Sequence, residues 1–117
     1  NVSVQSLTQR SDMRLKDVVN DLNLKVSTIA QAPSFKYRLK NGDGTIMVGS
    51  SAQYWDALLP EVIHRDAEGI LGMDYGVTAL GSVIAVAKEV TEHERRIARL
   101  EAENAILRAQ IEDLKAA

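Results

Sequence analysis

No glycine or proline follows Gly81, so residues 82–117 are free to run as a single helix of roughly ten turns at ~3.6 residues each. Apolar residues recur along that run with alternating spacings of three and four. With Ile97 at heptad position a, Leu100 falls at d, Asn104 at a, Leu107 at d, Ile111 at a and Leu114 at d. The same frame extends backwards to Val90 at a and His93 at d, and then to Val83 and Val86. A helix patterned in this way needs a partner helix. In a parallel, in-register assembly each g residue faces the next e residue of a neighbour, which joins Arg96 to Glu101 and Glu103 to Arg108, both attractive pairs. Ile at a with Leu at d, and the polar Asn104 that fixes register, favour two strands. The run Arg96-Ile97-Ala98-Arg99-Leu100-Glu101 matches an Arg-h-x-x-h-Glu pattern associated with three, where h is apolar.

The remaining two thirds carry few residues suited to a large core: one Trp, one Phe and three Tyr. Charged residues make up 26%, many of them in the last quarter, so the terminal segment is expected to bury its apolar stripe against other chains. The net charge of -2 argues against a general nucleic-acid binder. With no cysteine, a disulfide framework and a thiolate metal site are excluded, and the composition fits a reducing cytoplasm. The longest apolar stretch, Val83 to Val90, is interrupted by Lys88 and Glu89 and is too short to span a bilayer, so no membrane segment is expected.

Along the chain, Val2, Val4 and Leu7 alternate weakly, as in a strand or extended tail. Ser11-Asp12 reads as a helix start, with Leu15, Val18, Val19, Leu22 and then Val26 and Ile29 at helical spacing before Pro33. From Ser34 to Lys40, Phe35, Tyr37 and Leu39 alternate with Lys36, Arg38 and Lys40, a strand whose basic face is either solvated or set against an anion. Asn41-Gly42-Asp43-Gly44 predicts a turn and Thr45 to Val48 a return strand. A short helix from Ser51 would carry Tyr54, Trp55, Leu58 and Leu59, and a second hairpin would join Val62-Ile63-His64 to Gly69-Ile70-Leu71-Gly72. Tyr54, Trp55 and Tyr75 are expected in the core. The fold class is therefore α+β and helix-dominated: an N-terminal helix, small hairpins and a long C-terminal helix.

Ser11-Asp12-Met13-Arg14-Leu15-Lys16 brings a hydroxyl and an amine into one short segment. A serine hydroxyl is a poor nucleophile at neutral pH without a base beside it, and lysine serves as that base only where burial or nearby positive charge favours its neutral form. A serine at this point also suits a helix N-cap. On a continuous helix a five-residue offset separates Lys16 from Ser11 by about 140 degrees. The two can meet only if Ser11 lies outside the helix or a neighbouring chain supplies the lysine.

The pattern Ser-Asp-x-Arg-x-Lys resembles the start of the S74 peptidase family, the intramolecular chaperone domain at the C-terminal end of phage tail spikes, tail fibres and endosialidases. Further similarity lies in Gly49-Ser50-Ser51-Ala52-Gln53, Leu59-Pro60-Glu61-Val62, Gly72-Met73-Asp74-Tyr75-Gly76 and Ala87-Lys88-Glu89, in that order, so the resemblance covers nearly the whole chain. It implies a homotrimer that folds the polypeptide ahead of it and then releases itself by cleavage before the motif serine. Carried over, the scissile bond is Arg10-Ser11, Ser11 is the nucleophile, Lys16 its partner, and Asp12 and Arg14 support the site. Residues 1–10 would be the end of the passenger, 11–81 the chaperone core and 82–117 the trimerisation helix. The resemblance further implies action in the host cytoplasm during virion assembly, a passenger retained in the virion tail and a chaperone set free, with no cofactor or metal. The alternative is a non-catalytic trimerisation foot that stays attached to a fibre.

Overall fold

The computed structural model describes residues 9–117; the alternation of Val2, Val4 and Leu7 lies outside the described residues. A tight 3-10 turn, Met13–Leu15, opens the described chain. It is followed by helix α1, Val26–Ala30, and an antiparallel hairpin of β1, Phe35–Tyr37, with β2, Met47–Gly49. Helix α2, Ala52–Leu58, runs into a 3-10 turn at Pro60–Val62. A second antiparallel hairpin pairs β3, Ile63–Arg65, with β4, Leu71–Met73, and helix α3, Tyr75–Ala116, completes the chain. The two hairpins and the dominance of helix agree with the sequence pattern. No described helix is long and apolar enough to cross a membrane.

The expected N-terminal helix over Ser11–Ile29 does not form. Only Met13–Leu15 and Val26–Ala30 are helical, and residues 16–25 are non-helical. Helical spacing here is outweighed by poor helix formers, since Val18, Val19, Asn20, Asp21 and Asn23 each disfavour the α conformation. A short helix in water also needs a face to pack. Instead, Leu22 and Leu24, two residues apart, both reach α3 beside Gly81. A Cβ on that glycine would lie 3.0 Å from Leu22 Cδ2 and 3.6 Å from Leu24 Cδ1. Gly81 thus permits close approach within α3. The long helix begins six residues before it, at Tyr75, where the Asp74 side chain accepts from the Val77 amide at 3.1 Å.

The hairpin strands are shorter than the alternation suggests. β1 stops at Tyr37, Leu39 is 62% exposed, and the Lys36, Arg38 and Lys40 side chains are solvated. Asn41 at φ 62° and Gly44 at φ 86° take up the left-handed backbone that turns the chain.

Among the described residues, only Trp55, Leu59, Val62 and Thr78 are buried. Around them, a hydrogen-bond hub centred on Ser50 joins four segments. Its hydroxyl donates to the Pro33 carbonyl at 2.5 Å and accepts from Trp55 Nε1 at 3.1 Å, while its amide donates to the Tyr75 hydroxyl at 3.3 Å. Tyr54 donates its hydroxyl to the Thr28 carbonyl at 2.6 Å, tying α1 to α2. Tyr75 is therefore not a core residue as expected: it is 50% exposed, held at the surface by its hydroxyl. Gly49 makes room for that hydroxyl, since a Cβ there would lie 2.6 Å from the Tyr75 oxygen and 3.0 Å from Tyr37 Cε1.

Replacing Ser50 leaves the Trp55 N–H and the Pro33 carbonyl without their partner. Ser50→Ala should lower the unfolding free energy by about 2 kcal/mol in denaturant titration, and an unchanged midpoint would contradict the hub.

Candidate functional site

The 3-10 turn supplies a geometry that a continuous helix would deny. Asp12 and Lys16 flank it in extended conformation (φ/ψ -73°/127° and -120°/137°), and two i→i+3 bonds close it: Leu15 N–H to the Asp12 carbonyl at 3.0 Å, and Lys16 N–H to the Met13 carbonyl at 3.1 Å. The tight reversal lays residue 16 back over residue 11. Lys16 Nζ donates to Ser11 Oγ at 2.7 Å, and both residues are exposed. Of the two routes by which the pair can meet, the single chain takes the one with Ser11 outside a helix.

Asp12, and not Ser11, caps the turn. Its Oδ1 accepts from the Arg14 amide at 2.9 Å, leaving the Ser11 hydroxyl with Lys16. Asp12 and Arg14 also pair side-on, with Arg14 Nε within 3.2 Å of both carboxylate oxygens and its Nη2 donating to Oδ2 at 2.7 Å. This bidentate contact steadies the turn. Arg10, Ser11, Asp12, Arg14 and Leu15 line one shallow, open depression.

The other motif segments serve as structural punctuation. Ser51 caps α2 by accepting from the Tyr54 amide at 3.3 Å. Pro60 occupies the first turn of the following 3-10 segment, where its missing N–H costs nothing, and Leu59 and Val62 on either side are buried. Ser50 is the hub that sequence reasoning passed over. A small polar residue directly before a helix cap gives no signal that it bridges distant segments. Gln53 makes only a long contact, its Oε1 accepting from Ser51 Oγ at 3.5 Å, and Glu61 lies exposed.

On α3 the heptad residues lie exposed: Val90 49%, Ile97 54%, Leu100 56%, Leu107 54%, Ile111 50% and Leu114 77%. Asn104 lies on the same exposed helix, and His93 Nε2 lies 2.9 Å from Glu89 Oε1. Among the described residues, none of Arg96, Glu101, Glu103 and Arg108 makes an ion pair within the chain, whereas Glu92 with Arg95 and Glu112 with Lys115 do. Among the described residues no three histidines or carboxylates converge as a metal site.

No protein-family model matches the chain, and no curated protein matches it.

Hydrogen bonds from the Arg14 side chain, and secondarily from its amide, hold the Asp12 carboxyl below the usual carboxylate range, and the same pairing raises Arg14. A carboxyl depressed in the folded chain contributes stability that is full above its unfolded value and is lost as pH falls through its folded value. The turn should therefore outlast ordinary carboxylate protonation on acidification. Titrating Asp12 by carboxyl-carbon NMR should give a lower midpoint than in Arg14→Ala, and equal midpoints would remove Arg14 from this role.

Proposed function

We propose that the chain is a C-terminal intramolecular chaperone that trimerises, assists the folding of a tail spike or fibre polypeptide attached at its N-terminus, and releases itself by cutting Arg10-Ser11. The observation that carries the reading is the 2.7 Å contact between Lys16 Nζ and Ser11 Oγ, made by a hydroxyl that has no capping role. Ser11 attacks the Arg10 carbonyl carbon, and its Oγ proton passes to a neutral Lys16 amine. Lys16 returns a proton to the Ser11 nitrogen as the peptide C–N bond breaks, leaving an ester. Water then hydrolyses the ester to an Arg10 carboxylate and a free Ser11 hydroxyl. Because nucleophile and carbonyl are adjacent in one chain, the attack has the advantage of an intramolecular reaction.

Lysine accepts a proton only when neutral, a state favoured by burial and by nearby positive charge. Arg10 and Arg14 bring positive charge, but the pair is exposed in the single chain. Burial has to come from neighbouring copies, which makes cleavage follow assembly. The exposed heptad stripe, together with Arg96, Glu101, Glu103 and Arg108, which find no ion-pair partner on their own chain among the described residues, supports a parallel coiled coil, and the Arg96–Glu101 run favours three strands. Val90, Ile97, Leu100, Leu107, Ile111 and Leu114 form the buried seam, with Asn104 setting register.

Mass spectrometry of the freshly expressed parent protein should find a fragment beginning at Ser11, lost in Ser11→Ala and in Lys16→Ala. Intact chains in every variant would leave only a structural foot. Leu100→Ala with Leu107→Ala should abolish trimers in sedimentation equilibrium and leave the chain uncut, whereas a fully cut monomer would uncouple cleavage from assembly.

A further inference from the structure

We infer that His93 forms a zinc-type transition-metal site on the three-fold axis of the assembled α3 helices. The inference rests on the three-stranded reading above. His93 occupies a d position between Val90 and Ile97, so a parallel three-stranded coil brings three imidazoles together at one layer between apolar neighbours. Polar groups at such a layer need partners. Glu89, one turn earlier on the same helix, lies 2.9 Å from His93 Nε2. A carboxylate can only accept, so the proton sits on Nε2 and a neutral ring keeps its free lone pair on Nδ1. Three acceptors on one axis, with aliphatic side chains above and below, cannot satisfy one another. A cation that binds all three can.

The charges around the layer point the same way. The g-to-e pairing is attractive for Arg96 with Glu101 and for Glu103 with Arg108, but it sets Glu89 against Glu94 of the adjoining copy. Among the described residues Glu94 makes no ion pair on its own chain, and the ion pair of Glu89 is with His93. Two carboxylates from each of three chains therefore ring the imidazoles, and they repel until a cation is bound. Imidazole nitrogen selects Zn2+, Cu2+ or Ni2+ over Mg2+ and Ca2+. Three nitrogens with a water as fourth ligand make a tetrahedral Zn2+ site, and a carboxylate holding the far N–H of each ring is the usual outer partner of such ligands.

The test is a calorimetric titration of Zn2+ into the untagged, full-length chain, with oligomeric state measured on the same samples by sedimentation equilibrium. Uptake should saturate at one Zn2+ per three chains and raise the thermal midpoint, with no response to Mg2+. His93→Leu should stay trimeric and lose the uptake. His64→Ala, which changes the chain's other histidine, should keep it, and Glu89→Gln should weaken binding about 10- to 100-fold. A wild-type trimer that takes up no Zn2+, or a His93→Leu trimer that binds it unchanged, overturns the site. A chain that sediments as a monomer or dimer overturns instead the three-stranded reading beneath it.

Discussion

An apolar stripe along the C-terminal part of a 42-residue helix, which nothing among the described residues covers, governs this molecule. The rest of the chain cannot compensate. Among the described residues the buried core is Trp55, Leu59, Val62 and Thr78, and Leu15, Val18 and Val19 stand exposed, Val19 at 92%. Burial of apolar surface is the dominant favourable contribution to folding, and the described residues hold little of it within one chain. The hairpins and short helices act chiefly as a bracket. They fasten the base of α3 through Ser50, Asp74 and the close approach at Gly81, and leave the remainder of the helix free to pair.

The proposed Ser11–Lys16 pair is positioned by a separate, local device. The Asp12-capped turn sets the Lys16 nitrogen on the Ser11 oxygen before any partner arrives, so geometry is present in the single chain. Environment is what the single chain lacks. On the proposed reading, separating the two requirements makes a checkpoint: the atoms are positioned early, and reactivity waits for the exclusion of water that assembly would supply.

Much of this was legible in the residues themselves, and the exceptions are instructive. The long helix, both hairpins and the Ser51 helix start follow from period and turn chemistry, because those signals are local. The N-terminal helix does not form although Leu15, Val18, Val19 and Leu22 fit a helical period, because the first three stay exposed and only Leu22, with Leu24, finds a partner, on α3. Gly81 reads as a boundary in sequence but is a contact point inside α3, which starts at Tyr75 behind the Asp74 cap. The Ser11–Lys16 contact follows one of the two routes open in the sequence, with Ser11 outside a helix, since a helical spacing would have held the two side chains apart.

The most direct test follows parent protein through assembly by native mass spectrometry, resolving at each time both the number of chains in a particle and whether each chain begins at Ser11. The account predicts that chains beginning at Ser11 are found first and only in three-chain particles, accumulating after those particles form. Single chains already cut at Ser11, or three-chain particles that keep their leader joined indefinitely, would contradict it.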